Sequence, residues 1–304
     1  RFDEYGNDKI VGTNGFYAMK AHWNEHPDRD EAWAEAEKAR IGEERFRREH
    51  ECEFLIFDET LISSLVLADM EGTAPVENTG QVRWFKRPTP GNTYLTSLDP
   101  SMGTGGDYAA IQVFELPTFE QVAEWHHNQT PMNQQVRILQ GINKHIHDTI
   151  MEKDATASPQ IFYSMENNSI GEAALMRVMD IGEENIQGMF LSEPIRKGHR
   201  RKFRRGFNTT AKHKIDACTK FKELVENDKM KIHSQLLISE LKDFVASGMS
   251  YSAKPGQHDD LVSSCLLMTR MMKVLADFDP KIFEKWTDRT SEITPMPIFG
   301  SFTG

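Results

Sequence analysis

The chain predicts an α/β fold, a β-sheet flanked by helices. Three observations lead there. Three strand-like segments follow one another after Gly91; apolar-periodic helices then alternate with two further strand-like runs; and several of these runs end on turn-forming residues. No internal repeat of solenoid length interrupts the pattern.

Taken in order, Phe16 to Trp23 alternates like a strand, and Pro27-Asp28-Arg29-Asp30 supplies a turn and an acidic helix start. Glu31 to Phe54 is rich in Ala, Glu and Arg and reads as one or two exposed helices. Gly and Pro punctuate Ser63 to Asn92, the pattern of a linker or entry strand, which places the main boundary between about Phe57 and Pro90. Thr93 to Leu98 reads as a strand ending on Asp99, with the turn-rich Pro100 to Gly106 behind it. Tyr108 to Leu116 and Gln121 to Asn128 follow as strands, so the three can pair as a meander. Val136, Leu139, Ile142 and Ile146 mark one face of a helix from about Asn133 to Met151. Gln160 to Met165 is a buried-type strand ending on Glu166. A helix from Ile170 to Met179, a short strand from Ile186 to Leu191, and helices at Thr209–Glu226, Leu236–Phe244 and His258–Asp277 complete the pattern.

At 304 residues the chain suits one large domain or two smaller ones. Its apolar runs are far too short for a membrane span. Cys52, Cys218 and Cys265 are too widely spaced for a C-x-x-C pair and read as reduced thiols of an intracellular protein. No signal peptide is evident, and an opening on Arg1 rather than Met reads as a fragment or a processed product. The net charge of −10, taken as an average, argues against a nucleic-acid partner, because affinity for a phosphate backbone comes mainly from Lys and Arg.

The acidic residues are not evenly spread. Asp99 and Glu166 each close a strand-like run, and positions just beyond a strand's carboxyl end face the ligand crevice of an open α/β sheet. Asp259 and Asp260 open the last helix. Capping and dipole complementarity would explain either aspartate alone, whereas two adjacent ones ahead of an apolar helix point to a site. Carboxylates from two strand ends and a helix start, with neither a Cys pair nor a His cluster, suit hard cations such as Mg²⁺ or Mn²⁺ rather than zinc. Two such ions can drive the in-line displacement of a phosphodiester.

The motifs Ser97-Leu98-Asp99 with its Gly-rich turn and Gly106-Asp107-Tyr108, Tyr163-Ser164-Met165-Glu166-Asn167-Asn168, and His258-Asp259-Asp260-Leu261-Val262 resemble the nuclease domain of the large terminase subunit of tailed bacteriophages. Glu44-Arg45-Phe46-Arg47-Arg48-Glu49-His50 through Thr60-Leu61-Ile62-Ser63 is similar to the segment joining that family's packaging ATPase to its nuclease, so the resemblance runs from about His22 to Met272. It implies an RNase H-like fold, with a central mixed β-sheet flanked by helices behind an N-terminal helical and linker segment. Residues 1–60 would be the end of the ATPase domain and linker, 61–280 the nuclease and 281–304 a tail. It implies metal-binding catalytic roles for Asp99, Glu166 and Asp260, with Asp259 a neighbouring or second-metal ligand. The expected activity is metal-dependent endonucleolytic cutting of concatemeric double-stranded DNA, with little sequence preference, during viral genome packaging in the host cytoplasm. Portal protein, small terminase subunit and a packaging ATPase domain in the same full-length chain would be the partners. No G-x-x-x-x-G-K-[ST] occurs, so ATPase activity is not expected of this chain. Some relatives place a functional His after the third strand, and the spacing does not choose between His126 and His127. A junction-resolving or transposase-type RNase H-like nuclease and a non-catalytic, portal-docking DNA guide are the rival readings.

Arg196, Lys197, Arg200, Arg201, Lys202, Arg204, Arg205, Lys212 and Lys214 put nine cations into nineteen positions, where the chain average would place about two. No Asp or Glu lies between Pro194 and Ile215, while Phe203, Phe207 and two glycines are interleaved. A solvated loop would look similar, but the block falls between the second and third acidic motifs and reads as a contact to DNA phosphates. The chain's acidity therefore does not exclude DNA. Gly103-Thr104-Gly105-Gly106 lacks a following Lys and reads as a hairpin turn rather than a phosphate cradle.

Overall fold

The computed structural model describes residues 22–51, 59–194 and 205–278. Residues 16–21 of the expected first strand, Cys52, six of the nine basic positions and the tail 281–304 lie outside these. The chain divides into two compact units.

The smaller unit is helical. A 3-10 turn, Trp23–Glu25, stands where the end of the first strand was expected. The Asp30 carboxylate then accepts the Trp33 N–H at 2.8 Å and starts α1 (Glu31–Ile41). Gly42, at φ +85°, ends α1 and admits α2 (Glu43–His50), while α3 (Ser64–Asp69) belongs to the same unit. Trp23, Ala34 and Phe46 form its core, with Trp33 and Ile41 packed against them.

The larger unit is a seven-stranded mixed sheet in the order β1-β2-β5-β4-β3-β6-β7. Its strands are β1 (Glu77–Thr79), β2 (Val82–Trp84), β3 (Thr93–Asp99), β4 (Ala109–Leu116), β5 (Glu120–His127), β6 (Gln160–Met165) and β7 (Met189–Phe190). The expected meander is β3-β4-β5, antiparallel throughout, whereas β6 and β7 add in parallel. α4 (Met132–Lys153) and α5 (Ser169–Ile181) follow β5 and β6; α6 (Ala211–Glu226), α7 (Gln235–Asp243) and α8 (Asp260–Phe278) complete the helices. A second hairpin, β8 (Phe244–Ser247) with β9 (Ser250–Ala253), stands between α7 and α8.

Two hairpins escaped the sequence pattern for physical reasons. β1 and β2 have only three residues each, and Glu77-Asn78-Thr79 carries no apolar alternation because it lies at the sheet edge. β8 and β9 alternate weakly because most of their residues are solvated. The expected strand Ile186–Leu191 shrinks to two residues because Gly188, at φ +108°, breaks the extended backbone.

Strand parity sorts the core. Along β3, Tyr94 and Leu98 pack with Val136, Leu139, Ile142 and Ile146 of α4, and the Thr96 hydroxyl donates to Asn143 Oδ1 at 2.8 Å. The alternate residues face the other way: Ser97 Oγ donates to the Ser264 carbonyl of α8 at 2.9 Å. Helices therefore cover both faces, and every residue of β4 is buried. The buried polar residues of this strand are paired: Gln112 with Glu124 and Gln121, and Glu115 with Lys86, Asn92 and Thr118.

Candidate metal and DNA site

Parity places Asp99 on the α8 face of β3. Register places Glu166 beside it. β3 and β6 run parallel with Leu98 opposite Met165, so the next residues of both strands, Asp99 and Glu166, emerge together, and Glu166 N–H donates to the Leu98 carbonyl at 3.2 Å. Asp99 also pairs with Ala110 of β4, and Ala110 with His126 of β5. One row across four strands thus reads Glu166, Asp99, Ala110, His126.

Asp260 reaches this row from the start of α8, held by the Tyr108 main-chain N–H at 3.4 Å from Oδ2. Electrostatics record the convergence. Burial, then the carboxylates of Glu166 and Asp260, raise the Asp99 pKa well above the usual range, with a hydrogen bond to Glu166 and the charge of Asp259 adding to it. Burial and the nearby Asp259 and Asp107 push Asp260 up to about 6, against the opposing Tyr108 hydrogen bond and His258. These groups are oxygen donors whose ionised forms repel one another, the situation a hard cation relieves. Among the described residues, no three His, Cys, Asp or Glu side chains are drawn together tightly enough to close on an ion.

Local structure fixes each carboxylate. Asn168 caps α5, accepting the Ile170 and Gly171 N–H groups, and its Nδ2 donates to Glu166 Oε2 at 3.1 Å. Gly171 lets this turn close on Glu166: a Cβ there would lie 1.8 Å from the Glu166 carbonyl oxygen. Asp259 is turned differently from Asp260, with its carboxylate 3.7 Å from Lys214 Nζ.

Of the expected phosphate contacts, Arg196, Lys197, Arg200, Arg201, Lys202 and Arg204 lie outside the described residues. Arg205 forms an ion pair with Glu183 and lies over the Phe190 ring, so its charge is partly engaged within the protein. Lys214 lies over Phe244 as well as near Asp259, and Lys212 is exposed on the first turn of α6. The basic segment returns to the fold beside the carboxylates. Phe207 bridges to Glu166, Asn167 N–H donates to the Phe207 carbonyl at 2.7 Å, and Asn167 Nδ2 donates to the Arg205 carbonyl at 2.7 Å.

Sequence reasoning missed part of this neighbourhood. His126 and His127 are separated by parity: His127 bonds Thr130 Oγ1 at 2.7 Å on the other face. The His126 ring stacks on Tyr108 at 4.1 Å, and burial lowers its pKa to about 4. Glu240 of α7, 3.7 Å from His126, had no signal at all, since nothing in its local sequence distinguishes it from a solvated helix residue. The hairpin reading of Gly103 to Gly106 holds: the segment joins β3 to β4, and Gly105 N–H donates to the Asn128 carbonyl at 2.9 Å.

A family model described as the terminase RNaseH-like domain matches residues 96–271. The large terminase nuclease of thermophilic phage G20c with bound magnesium superposes with a TM-score of 0.51 at 17% identity, covering 69% of this chain and 96% of that one. The cobalt-bound form of the same nuclease gives a TM-score of 0.50 with the same identity and coverage. At that identity the structural likeness establishes the fold.

Proposed function

The chain belongs to the terminase RNaseH-like family, and from that premise we propose that Asp99, Glu166 and Asp260 form the site of a metal-dependent endonuclease that cuts concatemeric double-stranded DNA during viral genome packaging. The observation that carries this reading is the meeting of three carboxylates, from two adjacent strand ends and one helix start, where Glu166 and Asp260 add to burial in raising the pKa of Asp99. Mg²⁺ or Mn²⁺ is the cofactor by donor chemistry, and the magnesium- and cobalt-bound forms of the phage G20c nuclease accord with a divalent ion.

Asp99, Glu166 and Asp260 would hold the divalent cations, with Asp259 as a neighbouring or further ligand. When bound, such cations would supply an activated water and would offset the charge on the leaving oxygen during in-line displacement at phosphorus. Water adds to phosphorus as the ester bond to the leaving oxygen breaks, so one phosphate end and one hydroxyl end result. Asn168 and the Tyr108 N–H keep Glu166 and Asp260 aimed during this step. Lys212, Lys214 and the basic residues 196–205 contact DNA phosphates, which carry no base identity, so cutting is only weakly sequence-dependent. Residues 61–280 make up the nuclease, 1–60 the end of a packaging ATPase domain and its linker, and portal protein and small terminase subunit are the assembly partners.

Incubation with covalently closed plasmid tests the reading. Nicked and linear products should accumulate in Mg²⁺ or Mn²⁺ and disappear in excess chelator. Cleavage that persists in chelator would contradict it, and an intact plasmid at every metal concentration would favour a non-catalytic DNA guide.

A further inference from the structure

We infer that Glu240 is a positioning residue for Asp260, an inference that rests on the nuclease reading above. The first N–H groups of any helix lack partners within it. In α8 one of them is satisfied from another element: Val262 N–H donates to Glu240 Oε2 at 3.1 Å, across from α7. The acceptor therefore belongs to a separate helix, and it anchors the turn that carries Asp260.

A closed circuit of contacts runs through the same place. Glu240 Oε1 lies 3.7 Å from His126 Nε2, the His126 ring stacks on Tyr108 at 4.1 Å, and Tyr108 N–H returns to Asp260 Oδ2 at 3.4 Å. Asp260 is thus held through both its own helix and its side chain, by groups that are themselves packed. The Glu240 side chain is only 10% exposed. Burial, with Asp260 and Asp259 adding, pushes its carboxyl up to about 9. An acid this buried beside other acids is unfavourable unless its oxygens are used, and here they hold the α8 terminus. Outer groups that orient metal ligands typically change metal affinity or activity about 10–100-fold when removed.

The test compares Glu240→Ala, Glu240→Leu and Glu240→Gln with the wild-type chain. Mn²⁺ binding is measured without DNA by electron paramagnetic resonance, and plasmid cleavage is measured as kcat and KM. Loss of the acceptor in the Ala and Leu variants should weaken Mn²⁺ binding about 10-fold or more and lower kcat, with an unchanged KM for plasmid. Gln keeps a carbonyl oxygen and should restore most of the Mn²⁺ affinity. Leu fills the space, so it carries the test if the Ala variant does not fold. Wild-type Mn²⁺ affinity in the Leu variant, or a Gln variant as defective as Leu, would overturn the role of Glu240 and leave the nuclease reading standing. A wild-type chain that neither binds Mn²⁺ nor cuts plasmid would overturn both.

Discussion

Asp99 and Glu166 stand side by side at the carboxyl ends of neighbouring parallel strands, with Glu166 N–H bonded to the Leu98 carbonyl at 3.2 Å. Their proximity is a property of register. A one-residue slip of β6 against β3 would turn Glu166 to the α4 face. The core opposes that slip, because it would also carry Tyr163 and Met165, both fully buried among the α4-face residues, to the opposite face of the sheet.

The gathered carboxylates should destabilise the metal-free protein at neutral pH. Asp260 has a folded pKa of about 6 against an ordinary 3.8, so its protonated form favours the fold below the ordinary value, and that stability is lost as pH rises through 6. Asp260→Asn should therefore be more stable than wild type in chelator at pH 8, by about 1–2 kcal/mol after allowance for partial exposure. The advantage should shrink toward pH 5. Denaturant unfolding at both pH values checks this, and a less stable variant at pH 8 would count against it.

Gly171→Ala should impair the site without touching a carboxylate. The new Cβ would meet the Glu166 carbonyl at 1.8 Å, a main-chain atom that cannot swing aside. Overpacking of this kind costs about 1–3 kcal/mol. We expect a lower melting temperature and a lower kcat, with plasmid KM little changed. Wild-type cleavage by this variant would show that Glu166 need not be held where it is.

Lys212 is exposed on the first turn of α6, near the basic segment's return to the fold. If it meets a phosphate, Lys212→Ala should reduce the log–log salt slope of DNA binding by about 1, equally for unrelated sequences. An unchanged slope in fluorescence anisotropy titrations would remove Lys212 from the DNA contact.

The fold was legible where period and punctuation were strong. β3, β4, β5 and β6 alternate or run apolar to turn residues, and α4 displays one apolar face, so the order of sheet and helices could be read directly. Asp99, Glu166 and Asp260 were legible because each follows or opens a regular element. Glu240 was not, since what distinguishes it is a neighbour across the fold, a helix terminus 22 residues away, and the choice between His126 and His127 stayed open because they differ only in strand parity. The β1-β2 hairpin was hidden by its short, polar edge sequence.

The most direct test of the account is cleavage of supercoiled plasmid by Asp99→Asn beside the wild type, in Mn²⁺, with circular dichroism of both. Asp99 accepts the repulsion of its acidic neighbours, so the variant should fold at least as well as the wild type while its cleavage falls about 100-fold or more. Wild-type cleavage by a folded Asp99→Asn protein would contradict the claim that these carboxylates perform the reaction.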